Sequence, residues 1–402
     1  MSSFSAVKIS EHIYWVGAID WELRNFHGYS TQRGTTYNAF LILGEEPILI
    51  DTVKAPFFHE MMERISSVIA PEKIKYIVSN HAEMDHSGSL PEAIKLMQPE
   101  KIFASKAGVT ALQEHFHFDN VITGVSDGEE ITLANIKLKF IDSKMLHWPE
   151  SMFTFCVNDG VLFSQDTFGM HFATTKLFSE ENDPGILNFE AAKYFANILL
   201  PYASLVTHEL DKINQLNLGI KIIAPDHGPV WRTQEQINWV WQHWSKWAKQ
   251  DYYPKAVIIY DTMWNSTAKM AKAIADGLMQ HDIAVKVLNL TINSRSDVIT
   301  EILEAGALLV GSPTLNQQIF PSVADNLCYI KGLKPKNLFG QVFGSYGWGE
   351  KATEILHKEM QELGVGLIAE PIKVRYVPTD EALLQCRKLG EDVAVALRSR
   401  LG

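Results

Sequence analysis

The chain has 402 residues, of which 46% are hydrophobic and 21% charged, and its net charge is −11. That length is ample for two domains, and the balance is that of a packed globular protein. The acidic excess leaves no basic stripe to neutralise phosphates, which excludes nucleic acid as the main partner.

The opening residues MSSFSAVKISEHIYW hold no basic stretch leading into an apolar run, and no apolar stretch is long enough to span a bilayer. A cytoplasmic protein without a signal peptide is therefore expected. Cys156, Cys328 and Cys386 lie far apart and form no C-x-x-C pair. A rubredoxin-type or ferredoxin-type centre within this chain is excluded on that ground, and a disulfide framework is not expected.

In chain order, AFLIL and PILID flank Gly-Glu-Glu and predict a hairpin over residues 39–51. FFHEMMERISSVI (57–69) and LPEAIKLM (90–97) have helical spacing, with the strand-like run YIVSNH (76–81) between them. KIFAS (101–105) and IKLKFID (136–142) predict further strands. MFTFCV and VLFSQD flank Asn-Asp-Gly (158–160), residues that tolerate positive φ and so signal a second hairpin. IKIIAPDH (220–227) closes the set, and INWVWQHWSKWAKQ reads as an amphipathic helix at the end of the first half. The expected boundary falls near residues 246–255, giving domains 1–250 and 251–402. The first is an α/β sandwich with polar residues gathered where its strands end.

The second half alternates: AVIIY, a helix across STAKMAKAIADGLMQ, AVKVLNL, a helix near SDVITEILEA, then ALLVGSPT. LFGQVFGSYG, a helix near KATEILHKEMQEL and a last strand near LIAEPIKV follow. Such alternation predicts a doubly wound parallel sheet.

Residues 80–88, NHAEMDHSG, place His81, Glu83, Asp85 and His86 directly after a predicted strand. Imidazole and carboxylate groups are donors that transition metals accept. Alone, the stretch also reads as a solvated charged loop before the helix at Leu90. His147, Asp166 and His227 alter that balance, because each also ends an apolar run, where α/β folds gather their sites.

After AVIIY, the loop DTMWNSTAKMA offers the hydroxyls of Thr262, Ser266 and Thr267 and the free N–H groups of a helix beginning near Ala268. A helix N-terminus of this kind favours a phosphate, although an ordinary Ser/Thr cap is the simpler reading. Two more loops, GSPTLNQQIF (311–320) and GSYGWGE (344–350), follow strands of the same sheet and can converge on its C-terminal edge. Tyr346 and Trp348 present flat faces for an aromatic ring system, and Gly344, Gly347 and Gly349 allow close backbone approach.

His81, Glu83, Asp85, His86, His147, Asp166 and His227 resemble, in order and approximate spacing, the ligand set of the flavodiiron proteins. That family includes rubredoxin:oxygen oxidoreductases and nitric oxide reductases. The resemblance implies an N-terminal metallo-β-lactamase-like αββα sandwich followed by a flavodoxin-like sheet, and it covers essentially the whole chain. Hydrolases of the superfamily carry H-x-H-x-D-H and usually zinc. Glu83 replaces the second His of that motif here, adding a hard anionic oxygen that favours iron. By the family's pattern, His81, Glu83 and His147 would hold one iron, Asp85, His86 and His227 the other, and Asp166 would bridge them. In some members the residue matching His86 is displaced from the metal by water.

The resemblance also marks two supporting residues, His27 in NFHGYSTQRGTTYNAF and Tyr194 in AAKYFANIL, which otherwise read as a turn histidine and a core tyrosine. His171 reads as a packed histidine. TMWNST looks like the FMN-phosphate loop of flavodoxins. The implied flavin contacts are Thr262, Met263, Trp264, Asn265, Ser266, Thr267, Pro313, Thr314, Leu315, Asn316, Ser345, Tyr346, Gly347 and Trp348.

Together the two sites imply a terminal reductase. An external donor reduces FMN, FMN reduces the diiron site, and dioxygen becomes water or nitric oxide becomes nitrous oxide. In the family, subunits pair head to tail, so a homodimer or dimer of dimers is expected. The chain ends at Gly402, leaving no room for a rubredoxin or flavin-reductase extension. A separate donor such as rubredoxin or a reduced deazaflavin is therefore expected. Three other readings stay open: a dinuclear zinc hydrolase with an appended flavodoxin module, an electron-transfer module with a vestigial metal site, and a gas sensor.

Overall fold

In a computed structural model, which describes residues 3–118 and 122–401, the apolar runs become strands of three main sheets. The chain divides into two compact units. One comprises Met1–His27, Thr31–Tyr194 and Ser204–Ser245; the other comprises Gly28–Ser30, Phe195–Ala203 and Lys246–Gly402.

In the first unit, a sheet of seven strands among the described residues runs in the spatial order Val7–Lys8, Ile13–Trp15, Phe40–Ile42, Ile48–Ile50, Tyr76–Ser79, Lys101–Ser105, Ile122–Val125. A second sheet holds Glu130–Leu133, Ile136–Asp142, Met152–Cys156, Val161–Phe163 and Ile222–Ala224. Phe40, Ile50, Val78 and Phe103 from the first sheet meet Phe140, Cys156 and Phe163 from the second in one buried core. On the other face of the first sheet, Leu49, Ile77 and Ile102 pack with Met61, Ile65, Ile94 and Leu112 of the helices Phe58–Ser66, Leu90–Met97 and Lys106–Phe116. Removing this apolar surface from water is the main driving term, worth about 25 cal/mol per Å².

Both expected hairpins form. Phe40–Ile42 pairs antiparallel with Ile48–Ile50, and Met152–Cys156 pairs antiparallel with Val161–Phe163 around Gly160 at φ 69°. Ile136–Asp142 and Val161–Phe163 each run antiparallel to the intervening Met152–Cys156, and Ile222–Ala224 runs parallel to Val161–Phe163. The C-terminal ends of these three strands therefore share one edge of the sheet.

The second unit is a parallel sheet in the order Ala284–Asn289, Lys255–Tyr260, Ala307–Gly311, Phe339–Tyr346, Gly366–Leu367. This is the flavodoxin-like strand order. The last strand expected near LIAEPIKV is divided. Gly366–Leu367 pairs with Phe339–Gly340, and Ile372–Arg375 pairs with residues 343–346. Pro371 lies at the break, where the lack of an N–H interrupts the ladder. The helix Asp380–Leu401 packs on Ser266–Met279 so closely that a Cβ on Gly277 or Gly390 would strike the opposing carbonyls of Arg387 and Ile274. Among the described residues, no helix is long and apolar enough to cross a membrane.

Candidate metal centre and flavin cleft

His81 follows the strand Tyr76–Ser79, and Glu83 precedes the short helix Met84–Ser87, whose single turn carries Asp85 and His86 inward. His147, Asp166 and His227 come from the loops that leave the shared edge of the second sheet. The donors fall into two groups, His81–Glu83–His147–Asp166 and Asp85–His86–His227, each with ligand atoms within 4.8 Å of one another.

In the first group, His147 Nε2 lies 3.2 Å from Glu83 Oε2 and 3.0 Å from Asp166 Oδ2, and His81 Nε2 lies 3.3 Å from Glu83 Oε2. In the second, His86 Nε2 is 3.1 Å from His227 Nε2, and His227 Nε2 is 3.2 Å from Asp85 Oδ2. Asp166 joins the groups: Oδ2 faces His147 and His81, while Oδ1 lies 3.2 Å from His86 Nε2 and 3.6 Å from His227 Nε2. His86 therefore points its Nε2 into the cluster.

Both oxygens of Asp85 and Oδ1 of Asp166 are buried without a hydrogen-bond donor among the described residues. Buried carboxylate oxygens of this kind demand a cation or a donor. Burial opposes charge on Glu83, yet the imidazoles of His147 and His81 hold its carboxyl well below the usual range. Burial also opposes charge on Asp166, but His86, His147 and His227 hold it ionised. Against burial, contacts to Glu150 and Glu83 raise the His81 imidazole, and Asp85, Asp226 and Asp166 push His86 up to about 10. Converging ionised carboxylates and imidazoles match the hard donor set of a dinuclear transition-metal site, so the residues fit two metal ions.

Around this set, His227 Nδ1 donates to the Thr36 carbonyl at 2.6 Å. His81 Nδ1 lies 2.9 Å from Glu150 Oε1. His171 packs its ring 4.6 Å from that of His227, and burial together with His227 keeps it neutral. Tyr194 stands beside His171, at a ring distance of 5.1 Å, and is fully buried. His27 differs: its side chain is 77% exposed, with Nε2 3.8 Å from Glu83 Oε1. Behind the ligands, Asp51 accepts both amide donors of Asn80, and burial still pushes its carboxyl up to about 6. Asp51, Glu150 and Asp226 were not singled out by sequence. Asp226 adjoins His227 and Glu150 lies three residues beyond His147, but proximity in the chain does not say which imidazole a carboxylate will meet.

In the second unit, the helix expected near Ala268 begins at Ser266, after Asn265 turns at φ 64°. Thr262 Oγ1 is buried without a partner among the described residues, as a phosphate contact would leave it. Thr267 Oγ1 bonds Ser345 Oγ at 3.0 Å, tying the first loop to the third. Asp261 accepts the Thr262 N–H, so the N–H groups beyond it remain for an anion.

A cleft of about 870 Å³ opens beside these loops. Of the expected flavin contacts, Met263, Trp264, Ser266, residues 313–316 and residues 345–348 line it. Thr262, Asn265 and Thr267 are outside its lining, in the turn that starts the helix. Gln317, Tyr376 and Val377 line it too and were missed, the last two because they follow the divided final strand. Trp264 and Trp348 are 88% and 90% exposed, leaving indole faces free for a planar ring. Gly344 has a different reason from the one expected: a Cβ there would strike the Ser312 carbonyl on the neighbouring strand.

A metal-binding αββα sandwich followed by a flavodoxin-like sheet defines a class of two-part metalloflavoprotein. Residues 35–228 match the family described as ODP family beta lactamase, and residues 258–390 match Flavodoxin. A nitric oxide reductase of Moorella thermoacetica is 44% identical, covering 97% of this chain and 98% of the relative. The rubredoxin oxygen:oxidoreductase structure from Desulfovibrio gigas superposes with a TM-score of 0.97 at 39% identity, covering 99% of this chain and all of that one. The flavodiiron protein of Giardia intestinalis superposes with a TM-score of 0.96 at 31% identity, covering 100% and 98%. This chain belongs to the flavodiiron proteins.

Proposed function

We propose that the protein is a terminal oxidoreductase that reduces dioxygen to water, nitric oxide to nitrous oxide, or both. The observation that carries this reading is Asp166, whose two carboxylate oxygens each face one of the two donor groups. In this reading His81, Glu83 and His147 would hold one iron, Asp85, His86 and His227 would hold the second, and Asp166 would serve both. Residues 1–250 serve the metal site and residues 251–402 the flavin. The turn from Thr262 to Thr267 would hold the phosphate of FMN, and the 313–316 and 345–348 loops would hold its ring. When bound, the iron pair supplies substrate coordination and electron storage, and FMN supplies electrons one at a time.

The chain's own residues supply the frame and the protons. Asp166 fixes the separation of the two donor groups. His171, held neutral, packs against His227 without competing for the carboxylates. His27, exposed and near Glu83, is placed to carry a proton on Nε2 from solvent toward the cluster. Tyr194 backs His171 and keeps water from that side. Electrons come from an external donor, a rubredoxin or a reduced deazaflavin. The assembly is a head-to-tail homodimer or dimer of dimers, and the protein works in the cytoplasm.

Metal and flavin analysis of purified protein tests the reading. Two irons and one FMN per chain are expected. Two zincs and no iron would overturn it in favour of the dinuclear hydrolase.

A further inference from the structure

The imidazoles of the metal cluster meet different groups behind their inward-facing nitrogens. His227 Nδ1 donates to a neutral carbonyl, that of Thr36. His86 Nδ1 faces the Asp226 carboxylate at 3.6 Å, beyond hydrogen-bond reach. Among the described residues, His81 Nδ1 is the one of these that makes a close contact with a carboxylate, 2.9 Å from Glu150 Oε1.

Glu150 is itself fixed. Its side chain is 3% exposed, the same Oε1 accepts the Ala82 N–H at 3.0 Å, and its backbone carbonyl accepts Ser105 Oγ at 2.6 Å. Ala82 sits between His81 and Glu83, and Glu150 lies just beyond His147 in HWPE. One carboxylate thus ties together the two loops that supply three of the first group's donors.

We infer that Glu150 is a positioning residue for the metal centre, holding His81 with Nδ1 protonated and Nε2 turned to Glu83 and Asp166. A histidine donating to a carboxylate is both oriented and made a stronger donor toward a metal. Because the other two described Nδ1 contacts are a carbonyl and a distant carboxylate, the two metal positions become inequivalent. The first is anchored through an anion, and the second is not. The inference rests on the diiron reading above.

The decisive variant is Glu150→Gln. Its amide oxygen can still accept from His81 Nδ1 and from the Ala82 N–H, so the loops keep their brace while the charge is lost. Glu150→Ala removes both. The measurement is iron release from purified, iron-loaded protein to a colorimetric chelator, with FMN content and thermal midpoint followed in the same samples. The expected result is wild-type FMN content, release about 10-fold faster in Glu150→Gln, and release up to about 100-fold faster in Glu150→Ala. The mixed-valence electron paramagnetic resonance signal of Glu150→Gln is expected to shift from that of the wild type, a change that a purely structural brace would not produce. If Glu150→Gln releases both irons at the wild-type rate with an unshifted signal, the inference is overturned, whatever Glu150→Ala does. Wild-type protein that holds no iron would instead overturn the diiron reading itself.

Discussion

Asp166 is the residue on which the metal centre turns, because its Oδ1 and Oδ2 point to different imidazole pairs. Asp166→Ala is expected to lower gas consumption by about 100-fold or more, since several kcal/mol of metal-borne charge stabilisation depend on that bridge. Its FMN content should stay at the wild-type level, because the flavin loops belong to the other unit. Oxygen-electrode and nitric-oxide-electrode rates, normalised to flavin, check this. The two groups of candidate donors were legible in the sequence because His81, His147, Asp166 and His227 each follow an apolar run, while Glu83, Asp85 and His86 crowd the turn just after His81. Glu150 was not legible. Its role depends on which imidazole it meets at a sequence separation of 69 residues, and that is a property of the folded loops.

At the scale of elements, the strand–helix alternation of the second half and both hairpins followed from period and turn chemistry. The divided last strand and the helix Asp380–Leu401 did not, the first because the Gln341 side chain bonds the Ala369 carbonyl and the Val342 N–H at the break. The flavin cleft is built from loops, and its exposed indoles give it a testable edge. Trp348→Ala is expected to weaken FMN binding by about 5-fold, matching the ~1 kcal/mol of an aromatic stack. Titration of apoprotein with FMN, read by flavin fluorescence, measures it.

The helix Ala203–Leu216 carries a pH response of its own. Burial raises the Glu209 carboxyl from its ordinary 4.5 to about 7, with Lys212 opposing and Asp127 adding. The folded state thus keeps a proton that the unfolded state releases. The resulting stability is fully present below the ordinary value and is lost as pH rises through about 7. It amounts to about 3 kcal/mol. Glu209→Gln should flatten the fall in denaturant midpoint between about pH 5 and about pH 8. An unchanged slope would show that Glu209 does not carry it.

At the scale of the whole molecule, the order of the two cofactor folds was legible, because each has its own texture and its own loop chemistry. The segments Gly28–Ser30 and Phe195–Ala203, which group with the second unit, carry no compositional mark of it. Head-to-tail pairing predicts that sedimentation of the FMN-loaded, iron-loaded protein gives a dimer or tetramer. A fully active monomer would contradict that pairing.

The central claim, that iron and flavin act together on a diatomic gas, is tested most directly by stopped-flow mixing. Protein of known iron and FMN content is reduced anaerobically and mixed separately with dioxygen and with nitric oxide under multiple turnover. Rapid flavin reoxidation coupled to gas consumption is expected with at least one gas, and loss of that coupling is expected in Asp166→Ala. Flavin reoxidation at the same rate in wild type and Asp166→Ala with both gases would contradict it.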